Sequence, residues 1–217
     1  MLSPRPEGPL EPQPGVWAIV VAGGSGSRFG GAKQFEDLLG RRVLDWAVAA
    51  ARASCGGVVT VLPPDRLEPG ACAGGATRSA SVRSGLAAVP ADAEIVVVHD
   101  AARPLAGPEL FARVVAAVVA GADAAVPGVA LSDTVKRVDG DRVVGTVDRY
   151  GLVAVQTPQA FRADVLRQAH ADDAEGTDDA ALVEAGGATV VVVDGDPRNL
   201  KLTSPDDLVV ARALLSR

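Results

Sequence analysis

The sequence predicts an α/β fold, a single domain in which a mainly parallel sheet is flanked by helices and a β-hairpin arm protrudes. Three observations carry that expectation. Short runs rich in Val, Ile and Ala alternate with stretches of helical length, the pattern of strand–helix crossovers around a buried parallel sheet. Hydrophobic residues make up 48% of the 217 residues but aromatics only 3%, so the core is built from small aliphatic side chains. One stretch, 134–147, instead alternates polar and apolar residues about Asp139-Gly140, a hairpin signal.

The elements follow in order. Residues 16–22 (VWAIVVA) read as a buried first strand running into glycines. A helix is expected over 43–53, then a β-branched strand over 58–62 that stops at Pro63-Pro64. Residues 79–89 suit a helix, 95–99 (IVVVH) a buried strand ending at Asp100, and 108–120 a helix with Pro108 in its first turn. Strands are expected over 122–129, 152–156 and 189–193, and helices over 162–170 and 178–185. Ser204-Pro205 opens a terminal helix, with Ser204 as N-cap and Pro205 at the first position. Residues 1–14, with five prolines and no apolar run, are expected to be a flexible tail before a domain over 15–217, with the arm at about 132–151.

The formal charge is −6 and the isoelectric point about 4.9. That balance argues against a general nucleic-acid or membrane surface, both of which call for basic patches. A few cations in one cleft can still bind a triphosphate. No secretory signal and no uninterrupted membrane-length apolar run are read, and Cys55 and Cys72 have neither C-x-x-C pairing nor a nearby His. The expected location is the cytoplasm, with reduced thiols.

The first strand leads into Ala22-Gly23-Gly24-Ser25-Gly26-Ser27-Arg28-Phe29-Gly30-Gly31-Ala32-Lys33. Glycines allow tight turns and let backbone N–H groups approach an anion, while Arg28 and Lys33 add cations to the same loop. A dinucleotide fingerprint needs Gly where Phe29 stands, and a P-loop needs Gly-Lys-Ser/Thr where the chain has Ala32-Lys33-Gln34. His99 and His170 have no Ser or Cys nucleophile motif nearby, so no covalent catalysis is assigned.

This loop is similar to the signature of pyrophosphate-releasing nucleotidyltransferases. Six further blocks follow in order: Gly74-Gly75-Ala76-Thr77-Arg78-Ser79-Ala80-Ser81-Val82, His99-Asp100-Ala101-Ala102-Arg103-Pro104, Asp133-Thr134-Val135-Lys136, Thr157-Pro158-Gln159-Ala160-Phe161, Thr177-Asp178-Asp179-Ala180 and Asn199-Leu200-Lys201-Leu202-Thr203. Together they resemble the 2-C-methyl-D-erythritol 4-phosphate cytidylyltransferases of the non-mevalonate isoprenoid pathway, from about Val16 to the end. The chain departs from many members in having Ala32 where they have Pro, which leaves the approach to Lys33 without that stiffening.

The resemblance implies a Rossmann-like nucleotidyltransferase fold and transfer of CMP from CTP to 2-C-methyl-D-erythritol 4-phosphate with release of pyrophosphate, with Mg²⁺ as cofactor. It implies that Arg28, Lys33 and Lys201 are catalytic, and that Ala22, Gly23, Gly24, Gly26, Gly75, Ser81, Asp100 and Ala101 bind the nucleotide. Asp100 is also the candidate metal contact, with the metal held mostly by CTP phosphates. Thr134, Arg149, Thr157, Thr177 and Asp178 are the implied acceptor residues, and the arm is implied to reach a second subunit in a homodimer. Several of these residues have a plainer reading beside this one. Ser81 can be a helix-start hydroxyl, Asp100 a turn residue, Arg149 a solvated arm charge, and Thr157, Thr177 and Asp178 turn or cap residues. Arg78 and Arg103 are left between pocket ordering and structural ion pairing. Ribitol 5-phosphate is the competing acceptor. A non-catalytic nucleotide-binding regulator and a dinucleotide-dependent oxidoreductase are the alternatives from other classes.

Overall fold

The computed structural model describes residues 11–23, 29 and 31–216. Among them the chain runs through β1 (Gln13–Val21), β2 (Asp37–Leu38), β3 (Arg41–Arg42), α1 (Val43–Arg52), β4 (Cys55–Leu62), β5 (Cys72–Ala73), α2 (Arg78–Ala88), β6 (Ile95–Asp100), α3 (Pro108–Val119) and β7 (Ala124–Ala130). The hairpin β8 (Val135–Asp139) and β9 (Arg142–Val147) follows, then β10 (Val153–Val155), β11 (Gln159–Arg162), α4 (Ala163–Ala169), α5 (Asp179–Ala185), β12 (Val190–Asp194) and α6 (Pro205–Leu215).

Eight strands form the main sheet, and the hairpin β8–β9 is a separate two-stranded sheet. β1 pairs in parallel with β4 on one side and with β6 on the other. β11 lies antiparallel between β6 and β7, and β12 pairs in parallel with β7. The architecture is therefore the expected α/β domain with a mainly parallel sheet and an arm. The chain leaves β1 toward β4 and returns across it to β6, so the strand order reverses at β1. The crevice beyond the carboxyl ends of such strands is where open α/β sheets bind ligands.

Period-two alternation feeds two core layers from each central strand. Ala18 and Val20 of β1 pack with Val97, Leu44, Phe111 and Val114 on one face, and Ile19 packs with Val96, Val98, Val82 and Leu166 on the other. A third cluster, Leu38, Val43, Leu202, Leu208 and Ala211, fastens α6 and the segment before it beside the start of α1.

Several boundaries differ from the sequence expectation. β1 begins at Gln13, inside the expected 1–14 tail. Gln13 pairs with Cys55, and the register breaks between Gln13 and Trp17. Pro14 lies in that break, where it is not asked to donate to the ladder. β11 is not expected from the sequence, because Gln159–Arg162 has no β-branched residue and becomes a strand only by lying between β6 and β7. The two-residue strands β2, β3 and β5 carry too short a pattern to be read. Among the described residues no helix is long and apolar enough to cross a membrane.

Gly85 sets the spacing between α2 and the sheet. A Cβ there would stand 2.5 Å from Ile19 Cγ2 and 3.1 Å from Val61 Cγ2. Replacing Gly by Ala inside a helix ordinarily gains up to about 1 kcal/mol, whereas overpacking costs about 1–3 kcal/mol. Both neighbours are β-branched and lie on central strands, so they yield little. Gly85→Ala is expected to destabilise the fold by about 1–2 kcal/mol net, lowering Tm by a few degrees. A thermal melt showing a raised Tm would contradict this packing account.

Candidate active site

Three segments converge where β1, β4 and β6 end. Val21 pairs with Val61 of β4 and Asp100 of β6. The ladders continue one step further, with Ala22 N–H donating to Val61 O and Ala101 N–H to Val21 O. Ala22 and Ala101 are both buried. Their N–H groups are thus spent on the sheet. Of the glycine loop, Gly24, Gly26 and Arg28 lie outside the described residues. Beyond the loop, Lys33 opens a single 3₁₀ turn and the buried Gln34 donates from Nε2 to Ala22 O at 2.7 Å, tying that turn back to the end of β1.

The nucleotide-side turn is built around Ser81 in the first turn of α2. Its hydroxyl donates to Thr77 O at 2.9 Å and accepts from Gly75 N–H at 3.1 Å. A Cβ at Gly23 or Gly74 would stand 3.1 Å from Ser81 Oγ, and one at Gly75 would meet Ala80 Cβ at 2.5 Å. Gly23 and the Gly74-Gly75 pair come this close to the start of α2 only because they carry no side chain. Ser81 therefore shapes the Gly75 turn, as a helix-start hydroxyl can. Thr77 caps α2 by accepting from Ala80 N–H and donates to Glu175 Oε1 at 2.7 Å, while Arg83 donates to Ala174 O. These bonds draw the 174–178 loop across the start of α2 and bring Thr177, which is exposed, to the same end of the domain.

Asp100 is the electrostatic centre. Its carboxylate accepts from Arg78 Nε at 3.2 Å and from Lys201 Nζ at 2.7 Å, with its side chain only 12% exposed. Burial by itself would raise its pKa, but the two cations outweigh that and hold it well below the ordinary carboxylate range. Arg78 continues to Asp179 Oδ2 at 2.7 Å, and Asp179 Oδ1 contacts His170 Nε2 at 3.0 Å, so a chain of polar contacts runs inward from the exposed Lys201 to the buried end of α4. Burial acts to lower the Arg78 pKa, yet its two carboxylates raise it overall.

Below Asp100 lies a neutral relay. Thr157 Oγ1 accepts from Asp100 N–H at 3.0 Å and meets His99 Nδ1 at 3.0 Å, while His99 Nε2 meets Arg103 O at 3.3 Å. The carbonyl can only accept, so Nε2 carries the proton and Thr157 donates to Nδ1. Thr157 is 5% exposed, which makes it a support under the site. Arg103 donates to the backbone carbonyls Asn199 O and Val155 O, so it orders the pocket wall through main-chain contacts. Asp178 caps α5 through Ala181 N–H and accepts from Gln159 Nε2. Thr134 and Arg149 stand exposed at the base of the arm, with Arg149 donating to Leu131 O and Ser132 O.

The family model for 2-C-methyl-D-erythritol 4-phosphate cytidylyltransferase, IspD, matches residues 16–217. The protein of that name from Frankia casuarinae is 48% identical, over 94% of this chain and 82% of its own length. The chain belongs to the 2-C-methyl-D-erythritol 4-phosphate cytidylyltransferase family. It is an enzyme, transferring a cytidylyl group from CTP to 2-C-methyl-D-erythritol 4-phosphate. The crystal structure of the cytidylyltransferase from Thermus thermophilus superposes with a TM-score of 0.79 at 38% identity, covering 93% of this chain and 98% of that one. A bifunctional IspD/IspF enzyme of Solidesulfovibrio magneticus is 43% identical over 89% of this chain, which spans about half that protein's length, 55%.

In this cytidylyltransferase four buried residues carry no role in the sequence reading. Gln34 and Gln159 sit at or inside the motif blocks without one, and Asp179 is overshadowed by Asp178. Gln156 precedes its block by one position. Among the described residues no three His, Cys, Asp or Glu side chains come together as a metal cage. Asp100, with its two oxygens already facing Arg78 and Lys201, does not by itself make a protein-built metal site.

The relay makes a pH prediction. Burial holds His99 neutral and lowers its pKa to about 4 from an ordinary 6.5. The unfolded chain therefore binds the extra proton first. Stability from neutral His99 is fully present above pH about 6.5 and is lost as pH falls toward about 4, by roughly 3 kcal/mol in total. Urea unfolding at pH 7, 5.5 and 4.5 should show this slope in the wild type and a flatter one in His99→Asn. Equal slopes would remove His99 as its origin.

Proposed function

We propose that this chain catalyses cytidylyl transfer by positioning and charge neutralisation, with its reacting centre at the carboxyl edge of β6. The acceptor's phosphate oxygen attacks the α-phosphorus of CTP in line, the bond to the β-phosphate oxygen breaks, and pyrophosphate leaves. A phosphate monoester is already anionic near neutral pH, so no general base is required. The difficulty is bringing two anions together, which preorganised cations address. Arg28, Lys33 and Lys201 take that role. The observation that carries this reading is Lys201 held 2.7 Å from Asp100, in turn paired to Arg78, beside the Gly23–Gly75–Ser81 turn. Asp100 keeps Lys201 oriented until the triphosphate competes for it.

Gly23, Gly24, Gly26 and Gly75 cradle the nucleotide, with Ser81 holding the Gly75 peptide toward the base. Asp100 is the residue that would face a bound Mg²⁺, which would supply further neutralisation of phosphate charge. Thr177 and Asp178 lie on the acceptor side, and Arg149 binds the acceptor phosphate through its planar fork. The working assembly is a homodimer in the cytoplasm. Supporting the dimer, the arm forms no part of the main sheet and exposes Val138, Val143 and Val144, while Tyr150, Leu152, Val153 and Val155 are exposed at and beyond its base. A two-stranded hairpin is marginal in water without a partner surface. The sequence alone suggested a largely polar arm; the exposed valines are an apolar face that a second copy would cover.

Two experiments test this reading. Arg28→Ala and Lys33→Ala should each lower kcat about a hundredfold or more, the scale of removing a preorganised charge donor, with melting unchanged. A folded Lys33→Ala enzyme with full kcat would end that assignment. Mixing Lys33→Ala with Arg149→Ala subunits tests the arm. If Arg149 acts on the partner's site, a mixed dimer has one intact site and one doubly defective. Random pairing then restores roughly a quarter of wild-type activity. Verified subunit exchange without recovery would place Arg149 and Lys33 on the same chain's site.

A further inference from the structure

The Lys201 ammonium is paired with Asp100 at 2.7 Å while its side chain is 41% exposed, so its reach to that carboxylate depends on where its backbone is held. That backbone hangs on a clasp made by one buried side chain. Gln156, 6% exposed, is fixed to the sheet by its own N–H, which donates to Pro127 O at 2.8 Å. Its amide then grips Asp196 at both ends, with Nε2 donating to Asp196 O at 2.8 Å and Oε1 accepting from Asp196 N–H at 3.1 Å. A side-chain amide here does what a neighbouring strand would do. Nε2 also reaches Asn199 O at 3.3 Å, and Asn199 Nδ2 reaches back to Oε1 at 3.4 Å and to Thr157 O at 2.9 Å.

The fit is close. A Cβ at Gly195 would stand 2.9 Å from Gln156 Oε1 and 2.9 Å from Gly128 O, so the chain passes the clasp only as glycine. Asn199 itself is fully buried, and Arg103 donates to its carbonyl at 2.7 Å. Three residues beyond Asn199, Leu202 N–H bonds to Ala102 O at 2.8 Å, beside the strand that ends in Asp100. Lys201 is thus strung between two fixed points, Asn199 and Leu202.

We propose that Gln156 is a positioning residue for cytidylyl transfer, its amide clasping residues 195–199 so that Lys201 is presented to Asp100 and the reacting phosphates. This rests on the reading that Lys201 stabilises the transition state. Gln156 acts through the loop and not on the substrate. Losing the four hydrogen bonds of this amide lets the loop relax, and small misplacements of a catalytic group cost rate steeply.

The test is a double-mutant cycle on purified full-length enzyme, read by pyrophosphate release from CTP and methylerythritol phosphate. Gln156→Met, close in volume and without hydrogen-bonding capacity, should lower kcat about tenfold with KM for CTP little changed. In a Lys201→Ala background the same substitution should lower kcat by less than about twofold, while lowering Tm equally in both backgrounds. A merely structural role would give the same fold-loss in both, or a lower Tm with unchanged kcat, and either result overturns the proposal. Full kcat in Lys201→Ala alone would instead overturn the role of Lys201 on which the proposal stands. Should Gln156→Met not fold, Gln156→Asn, which stays polar but stops one methylene short of Asp196, is carried through the same cycle with the same two outcomes.

Discussion

The Asp100 carboxylate held between Arg78 and Lys201 is the contact on which the rest of the site depends. It joins parts of the chain separated by 22 and by 101 residues at the end of one buried strand. Removing either partner would leave charge stranded in a poorly hydrated place, which is costly. The fold answers by surrounding the carboxylate with fixed donors. Arg78 is anchored on its far side by Asp179, the backbone N–H of Asp100 is held by Thr157, and Lys201 is strung on a clasped loop. Each support comes from a different element, so the site exists only when the sheet, α2, α5 and the segment before α6 are all in place.

That arrangement suits a reaction between two anions. The protein needs few reactive groups, and the two histidines are accounted for as structural: His99 closes a neutral relay and His170 backs Asp179. What the chemistry needs is cations whose positions are fixed before substrate arrives, because orientation made in advance is not lost at the transition state. An acidic protein can do this, since its net charge says little about the field inside one cleft.

Much of the fold was legible because its physics is local. The β-branched runs of β1, β4, β6 and β12 and the Ser204-Pro205 start of α6 announce themselves by pattern and cap chemistry. β11 did not, since Gln159–Arg162 becomes a strand only between β6 and β7. The site divides in the same way. Asp100, Lys201 and Gly75 could be singled out from motifs. The pairing of Arg78 with Asp100 and Asp179 could not, nor could the use of Thr157 as a relay hydroxyl, whereas the cap made by Asp178 matches its plainer reading.

By itself, then, the sequence determined the strand–helix alternation, the presence of a glycine-rich stretch after β1, the family and the identity of most polar residues near the carboxyl edge. Those follow from periodicity, from the conformational freedom of glycine and from side-chain chemistry, all of which are properties of neighbours along the chain. Tertiary structure alone decided which of those polar residues face one another. Whether an aspartate caps a helix or holds an arginine, and whether a glutamine lies idle or clasps a loop 40 residues away, depends on distances set by packing the sheet against its helices, which no local stretch of sequence contains.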